Sequence, residues 1–143
     1  SSDPEILTKQ NRRLIEPDYH KRIIDYADKL GIRITAFYIL GLEGETLESV
    51  EKTIKYAKHL NTFVAQFFVN TPFPGTLDYE REKDNLIESD WEKFDCYTPV
   101  VHNKNITPTQ LSALKEKAFV TYYYRPRYLF NFLRRTSRAL FYG

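Results

Sequence analysis

The sequence is poor in sulfur, with no methionine and a single cysteine, Cys96. One cysteine excludes an intramolecular disulfide and any metal or iron–sulfur site that needs several thiolates from this chain. Because the sequence begins at Ser1 and not at a methionine, we expect it to be a piece of a longer protein.

A long apolar run and a large excess of one charge are also missing. No apolar run approaches the roughly 20 residues that span a bilayer. The 21 Lys and Arg oppose 19 Asp and Glu, a balance that does not favour nucleic acid as the main partner. Of the 143 residues, 42% are hydrophobic and 28% are charged, so we expect one hydrophobic core. The missing membrane-spanning run leads us to expect a cytoplasmic location.

The first predicted helix runs from Pro17 to a left-handed stop at Gly31. Proline suits the first helical turn, and glycine is common just after the last one. Ile23, Ala27 and Leu30 fall on one side of this helix, so we expect that side to be buried.

A strand–helix–strand unit follows. Residues 32–40, IRITAFYIL, and residues 63–69 are almost all β-branched, aromatic or aliphatic, which is typical of buried parallel strands. Between them, Thr46 offers an N-cap to a helix that ends near Leu60 and carries a stripe of Val50, Ile54 and Ala57. Short links between these elements predict an α/β fold with a parallel strand pair.

After Pro74 the pattern becomes mainly helical. We predict a short charged helix at residues 77–83, an extended piece at residues 98–101, and a long helix capped by Thr107. The inner face of the long helix consists of Leu111, Leu114, Ala118 and Tyr122. The tail carries five arginines, at positions 125, 127, 134, 135 and 138, and it predicts a basic amphipathic helix with an apolar side of Tyr128, Leu129, Phe132 and Leu133.

Two loops at the predicted carboxyl ends of the strands are candidates for binding. GLEGET, residues 41–46, precedes a helix N-terminus, where ligands bind in many α/β proteins, and TPFPGT, residues 71–76, ends the second strand on the same rim. Both patterns also suit ordinary tight turns, so both interpretations stay open. Glu43 and Glu45 are either ligand contacts or carboxylates favoured by a helix N-terminus.

The sequence contains no visible machinery for independent catalysis. It has no Ser-His-Asp arrangement, no P-loop and no dinucleotide-binding glycine pattern. His20, His59 and His102 are widely separated, without partners at ligand spacing, so we expect surface histidines. Cys96 has no adjacent basic residue, which favours a packed side chain over a nucleophile.

Three runs, NRR at residues 11–13, residues 29–60 and QFFVNTPFPGTLDYE at residues 66–80, resemble the carboxyl-terminal half of a radical S-adenosylmethionine (SAM) enzyme core. Residues 99–129 are similar to the region after that core in cobalamin-binding radical SAM proteins, a class that includes anaerobic Mg-protoporphyrin ester cyclases and several methyltransferases. The resemblance covers most of the chain.

The resemblance implies an α/β fold that is a fragment of a partial (β/α) barrel, with two or more parallel strands and flanking helices. Residues 1–83 would form the C-terminal part of the barrel, with residues 32–40 as its fifth strand and residues 63–69 as its sixth. Residues 84–143 would form a mainly helical C-terminal extension that ends in the basic amphipathic tail.

The resemblance also implies SAM contacts for individual residues. Arg12, or Arg13 as the alternative, would approach the methionine carboxylate, which suits a guanidinium fork. Ile39 and Gly41 would pack on the adenine.

Further implied contacts lie in residues 41–46 and at the end of the second strand. Glu45 corresponds to the family's loop glutamate, and the backbone of Val69 and Asn70 would also approach the adenine. Two positions depart from the family pattern: Glu43 replaces a usual proline, and Phe37 stands where some relatives carry a ribose-binding aspartate. Ribose contacts are therefore expected from elsewhere.

A larger departure concerns the iron–sulfur cluster. The resemblance implies SAM and a [4Fe–4S] cluster in the parent protein, with cobalamin as a further cofactor. The family holds its cluster with three cysteines spaced C-x-x-x-C-x-x-C, whereas this chain has only Cys96. We therefore expect the chain to be inactive alone, to complete its SAM pocket with the upstream half of the same polypeptide, and to act there on a small-molecule substrate.

An alternative function is an interaction module whose arginine-rich tail docks on an acidic partner or a membrane surface.

A second expectation concerns the strand edges, because parallel strands outside a closed barrel leave backbone groups unpaired. We expect a homodimer through these edges, or coverage of the edges by the chain's own tail.

Overall fold

A computed structural model describes residues 3–13 and 16–141 of the chain, apart from the side chains of residues 17 and 137–141. The helices within these residues are α1 (Pro4–Lys9), α2 (Pro17–Lys29), α3 (Leu47–Leu60), α4 (Leu77–Glu82), α5 (Pro108–Tyr123) and α6 (Pro126–Phe141). The strands are β1 (Thr35–Leu40) and β2 (Val64–Val69), and two 3₁₀ turns cover Lys83–Asn85 and Trp91–Lys93.

Strands β1 and β2 pair in parallel, in register from Thr35 opposite Val64 to Leu40 opposite Val69, and α3 connects them. This confirms the predicted α/β class with two parallel strands, flanking helices and a helical C-terminal region. Strand β1 starts three residues later than predicted and β2 one residue later, because the pairing begins with Thr35 opposite Val64 and leaves residues 32–34 outside the ladder. In the described part of the chain the sheet stops at two strands and does not close into a barrel.

Helix α3 is fixed at its first turn by reciprocal capping. The Thr46 hydroxyl accepts from the Ser49 amide at 3.2 Å, and the Ser49 hydroxyl accepts from the Thr46 amide at 2.9 Å. These bonds satisfy amides that the helix itself leaves unpaired. The predicted stripe of α3 is buried, with Val50, Ile54 and Ala57 each at most 1% exposed.

The core lies on one face of the sheet. Alternate strand residues turn toward α3 and α5, namely Tyr38, Leu40, Ala65, Phe67 and Val69. The predicted inner face of α5 meets them and is buried as expected. On the opposite face no described helix packs against the strands, and Phe37 is 63% exposed there.

Tyrosine hydroxyls tie the two C-terminal helices to the residues just before β2. Tyr122 donates to the Thr62 carbonyl at 2.7 Å, and Tyr128 donates to the Phe63 carbonyl at 2.9 Å. Burial raises the pKa of Tyr122, and it raises the pKa of Tyr128 to about 12. Both phenols are therefore held in the neutral form that donates these bonds.

The predicted buried side of α2 is partly wrong. Ala27 is buried together with Ile24, whereas Ile23 is 48% exposed and Leu30 is 58% exposed. The buried side contains Ile24 in place of Ile23, since consecutive isoleucines offer two nearly equivalent faces and tertiary packing selects between them.

The predicted apolar side of α6 is also only half correct. Tyr128 is buried, and the Phe132 ring stacks on Phe63 with centroids 5.5 Å apart. Leu129 and Leu133 are more than half exposed. The inner face of α6 is therefore built on the 128 and 132 positions, with arginine at 135 one turn further on.

Three smaller findings complete the fold. Helix α1, which the sequence analysis did not predict, is capped by the Asp3 carboxylate and begins at Pro4. The predicted extended piece at residues 98–101 forms one bridge, between Leu86 and Val101. Among the described residues, no helix has the length and apolar character needed to cross a bilayer.

Candidate functional site

The carboxyl ends of both strands meet at one rim, as predicted. The Asn70 amide donates to the Leu40 carbonyl at 2.8 Å, so pairing continues to the last residue before each loop. Residues 41–46 and residues 71–76 consequently leave the sheet side by side. This is the position at which parallel sheets bind ligands.

The loop at residues 41–46, here called the rim loop, folds around a buried carboxylate. Glu45 is fully buried, and its Oε2 accepts from the amides of Gly41 at 2.7 Å and Leu42 at 3.2 Å. Bonds from amides to a carboxylate are among the stronger hydrogen bonds in proteins. The Glu45 side chain therefore shapes the loop from inside.

Gly41 is required at the start of the rim loop for two reasons. Its φ of +82° lies in the left-handed region, and a Cβ placed on it would stand 2.6 Å from Cδ2 of Leu111. The space that glycine leaves is thus filled by a side chain of α5. The absence of a side chain at Gly41 therefore allows the rim loop to pack closely against α5.

Two asparagines hold the rim loop from the segment before α5. The Asn103 amide group donates to the Leu42 carbonyl at 3.2 Å, and the Asn105 amide group donates to the Glu45 carbonyl at 3.1 Å. The Asn103 side-chain oxygen in turn accepts from two amides of its own segment. Sequence reasoning missed both residues. Asparagines near a helix cap favour local bonds such as those that Asn103 accepts, but this pattern does not indicate the bonds to the rim loop.

The open face of the sheet carries an aromatic surface beside the rim. Ile39 is half-buried on this face, and the rings of Phe37 and Phe68 stack with centroids 5.8 Å apart. Tyr97 lies against Phe68 at 5.4 Å. Of the six implied SAM contacts, Ile39 is the one whose side chain lies on this surface.

The other implied strand-end contacts are already engaged. The side chain of Val69 is 3% exposed within the core, and its amide donates to the Cys96 carbonyl at 2.7 Å. Asn70 is half-buried, with its amide bonded to β1. A direct contact from Val69 to a ligand would therefore use its carbonyl, which accepts from the Thr71 hydroxyl at 3.1 Å.

Arg12 and Arg13 are exposed in the irregular segment after α1. The Arg12 backbone amide donates to the Leu7 carbonyl at 2.8 Å, which closes the end of α1. Neither arginine lies within a described helix, and the choice between the two stays a prediction.

The chain covers part of the outer edge of β2 itself. The Tyr123 hydroxyl accepts from the Ala65 amide at 3.0 Å and donates to the Ala65 carbonyl at 2.8 Å. Further along this edge, Cys96 adopts φ +64° and offers the carbonyl that pairs with Val69. Homodimerisation through strand edges stays a prediction.

Most arginines of the tail that the structure describes are used inside the chain. Arg125 donates to the Tyr122 carbonyl at 2.8 Å and to Oδ1 of Asn61 at 2.7 Å, and burial lowers its pKa. Arg134 and Arg135 both pair with Asp28. The side chain of Arg138 lies outside the described residues.

Metal-binding groups do not converge in the described residues, where no cluster of three or more His, Cys, Asp or Glu is present. His20 shares a 2.7 Å hydrogen bond with the Tyr56 hydroxyl. Cys96 is a free, half-buried thiol. With a single cysteine in the whole sequence, the chain does not supply the thiolates of a [4Fe–4S] cluster.

No protein-family model matches the chain. The chain is 36% identical over 90% of its length to an uncharacterized methyltransferase of Pyrococcus horikoshii, covering 28% of that protein. It is 28% identical over 68% of its length to the bacteriochlorophyllide d C-12(1)-methyltransferase of Chlorobaculum tepidum, covering 21% of that enzyme. It is 33% identical over 59% of its length to the anaerobic magnesium-protoporphyrin IX monomethyl ester cyclase of Rubrivivax gelatinosus, covering 15% of it.

The chain thus spans between 15% and 28% of the length of these three curated relatives. Two are methyltransferases and one is a cyclase, and this set supports a relationship to the radical SAM-related family that the sequence resembles. The similarity does not select one reaction within that family.

Proposed function

We propose that this chain is a segment of a radical SAM enzyme of the methyltransferase or cyclase type and that it contributes one wall of the SAM pocket. The observation that carries the proposal is the uncovered face of the parallel pair, with its apolar and aromatic side chains next to the rim loop. Parallel sheets are normally covered on both faces. An uncovered face is expected to receive further chain or a ligand.

The proposed division of labour follows from burial. Ile39 would contact the adenine from the open face, with Asn70 as a polar neighbour at the strand end. Gly41 and Glu45 would act indirectly, because the Glu45 carboxylate holds the first two amides of the loop. Arg12, or Arg13, would approach the methionine carboxylate from the exposed segment after α1.

The cofactors fit the chain to different degrees. SAM, when bound beside a reduced cluster, supplies a radical in the family that the chain resembles. The open apolar face suits a nucleoside, whereas a single cysteine does not suit a [4Fe–4S] cluster. The upstream half of the longer protein would therefore provide the cluster, and the chain by itself would be inactive. Cobalamin is proposed from the similarity of residues 99–129 alone.

This proposal is favoured over docking through the arginine-rich tail. Arg134 and Arg135 neutralise Asp28, and Arg125 binds carbonyl and amide oxygens of its own chain. A docking surface for an acidic partner needs cations that are available to that partner. Arg127 is exposed and meets that condition.

The test is an NMR titration of the ¹⁵N-labelled chain with SAM. Half of a pocket should bind weakly, so we expect millimolar affinity, with amide shifts confined to residues 39–46 and 70. Ile39→Asp should remove the shifts. Thr35→Asp, on the same face at the other end of β1, is the matched control and should leave them unchanged.

Three results would overturn the proposal. The first is that about 10 mM SAM causes no amide shifts at the rim, and the second is that the shifts lie elsewhere in the chain. The third is sub-micromolar binding by the isolated chain. An independent check is the coding sequence before Ser1. Three cysteines spaced C-x-x-x-C-x-x-C are expected there, and their absence would contradict the cluster assignment.

A further inference from the structure

A cavity of about 580 Å³ lies at the amino ends of β1 and β2, at the opposite end of the sheet from the rim loop. It is bounded by the end of α2, the segment leading into β1, the residue before β2, and α6. This volume falls within the range of small-molecule sites in proteins. Nothing in the proposed SAM pocket uses this end of the molecule.

The cavity has a surplus of positive charge. Lys29, Arg33 and Arg135 line it, and Asp28 is the acidic side chain in the lining. Asp28 is already engaged, because Oδ1 accepts from Nε of Arg135 at 2.6 Å and Oδ2 accepts from Nη2 of Arg134 at 2.8 Å. The cavity lining therefore carries about two uncompensated positive charges.

One guanidinium nitrogen in this lining has no acceptor. Nη2 of Arg135 donates to the Asn61 carbonyl at 3.3 Å and Nε is bound to Asp28, whereas Nη1 is buried without a hydrogen-bond partner among the described residues. The Arg135 side chain is 12% exposed. Nη1 is closed off from solvent, so Arg135 contributes a largely buried positive charge beside the cavity, which favours an anion there, and not a direct hydrogen bond from Nη1.

A second guanidinium is oriented by an aromatic ring. Arg33 lies over the face of Phe63, with its central carbon 4.8 Å from the ring centroid, and the Phe63 ring also stacks on Phe132. Arg33 makes no ion pair in the described part of the chain. Its N–H edge is therefore free to bind an anion while the cation–π contact limits its motion.

The remaining walls are apolar. Ile24, Ile32 and Ile34 line the cavity between the cationic groups. An inorganic anion alone would leave these surfaces in contact with water, whereas an anion with an apolar body would cover them. The site therefore combines a place for a charged group with a place for a hydrophobic one.

We propose that this cavity binds a phosphate monoester with a small apolar or aromatic body. A phosphate monoester carries a charge of about −1.5 to −2 at neutral pH, which matches the surplus of the lining. Its oxygens accept from Arg33, with Lys29 and Arg135 as further cations in the lining. The site is independent of the proposed SAM pocket, because it lies at the other end of the strands.

The test is a calorimetric titration of the chain with phenyl phosphate in a buffer free of phosphate and sulfate. Inorganic phosphate and phenol are titrated separately. Phenyl phosphate should bind at least about tenfold more tightly than either, because only the ester uses both the cations and the apolar walls. Equal affinity for inorganic phosphate would overturn the ester assignment.

Variants locate the binding. Arg33→Gln should weaken phenyl phosphate binding about tenfold, since Arg33 donates no hydrogen bond that the fold requires. Arg127→Gln removes the same charge from an exposed position outside the cavity and should leave the affinity unchanged.

Absence of binding at millimolar phenyl phosphate would overturn the proposal. Equal weakening by Arg33→Gln and Arg127→Gln would also overturn it, because that result indicates attraction by the overall charge of the chain. In the ¹⁵N spectrum, shifts of the Arg33 and Arg135 side-chain signals on titration are the supporting result.

Discussion

Replacing Glu45 tests whether the rim loop owes its shape to a buried carboxylate. The Glu45→Ala variant removes the acceptor of two amides, those of Gly41 at 2.7 Å and Leu42 at 3.2 Å, in a fully buried position. A hydrogen bond to a charged group contributes about 1.5–3 kcal/mol. For two such bonds we therefore expect a loss of about 3–6 kcal/mol, a large part of the 5–15 kcal/mol typical of a domain.

The measurement is urea unfolding followed by circular dichroism at 222 nm. Glu45→Gln keeps one carbonyl oxygen as an acceptor, so we expect a smaller loss of about 1–2 kcal/mol. Glu43→Gln changes an exposed carboxylate of the same loop and should stay within about 0.5 kcal/mol of the parent. A cost below about 1 kcal/mol for Glu45→Ala would refute the reasoning.

The same variants separate a shaping role from direct ligand contact. If Glu45 shapes the loop, a Glu45→Gln variant that stays folded should retain the SAM-induced amide shifts. If Glu45 instead bound SAM directly, Glu45→Gln would lose the shifts although Gly41 and Leu42 still showed a native amide pattern. That second outcome would contradict the indirect role assigned to the carboxylate.

Three further predictions concern packing and protonation. Gly41→Ala should cost at least about 1 kcal/mol more than Gly75→Ala in urea unfolding, because both have φ near +82° but only the first places a Cβ 2.6 Å from Leu111. Arg125→Lys should cost about 2 kcal/mol, since an ammonium cannot reproduce the guanidinium fork between the end of α3 and α5, and a cost near zero would contradict this. The folded-state pKa of Tyr128 is about 12, above the unfolded value near 10, so its contribution is complete below pH 10 and declines between pH 10 and 12. The urea midpoint measured from pH 9 to 12 should therefore fall less steeply in Tyr128→Phe, and an equal slope would contradict the assignment.

The parts of the fold that the sequence predicted well are those governed by local rules. Thr46 and Thr107 cap helices through contacts three residues away, and both caps form as expected. The mainly apolar residues 35–40 and 64–69 pair in parallel, because two strands joined by one helix and short links favour that arrangement. These signals lie within a few residues of the feature that they determine.

The parts that the sequence did not predict depend on distant contacts. Asn103 and Asn105 hold the rim loop across about 60 residues of sequence, and no local pattern connects them to it. The choice between Ile23 and Ile24 as the buried residue of α2 is likewise made by the neighbouring helix. In each case the residue type was compatible with several partners, and tertiary packing selected one.

The internal bonding of the rim loop also restricts how it can hold a ligand. The amides of Gly41 and Leu42 are taken by Glu45, and the Glu45 amide donates to the Leu42 carbonyl at 3.0 Å. The donors that the described contacts leave in this loop are the amides of Glu43 and Gly44. A ligand at the rim would therefore meet a loop already fixed in shape, which lowers the ordering cost of binding. Most of its contact area would have to come from the aromatic surface of the open sheet face, which favours a flat, largely apolar group over a highly charged one at this end of the molecule.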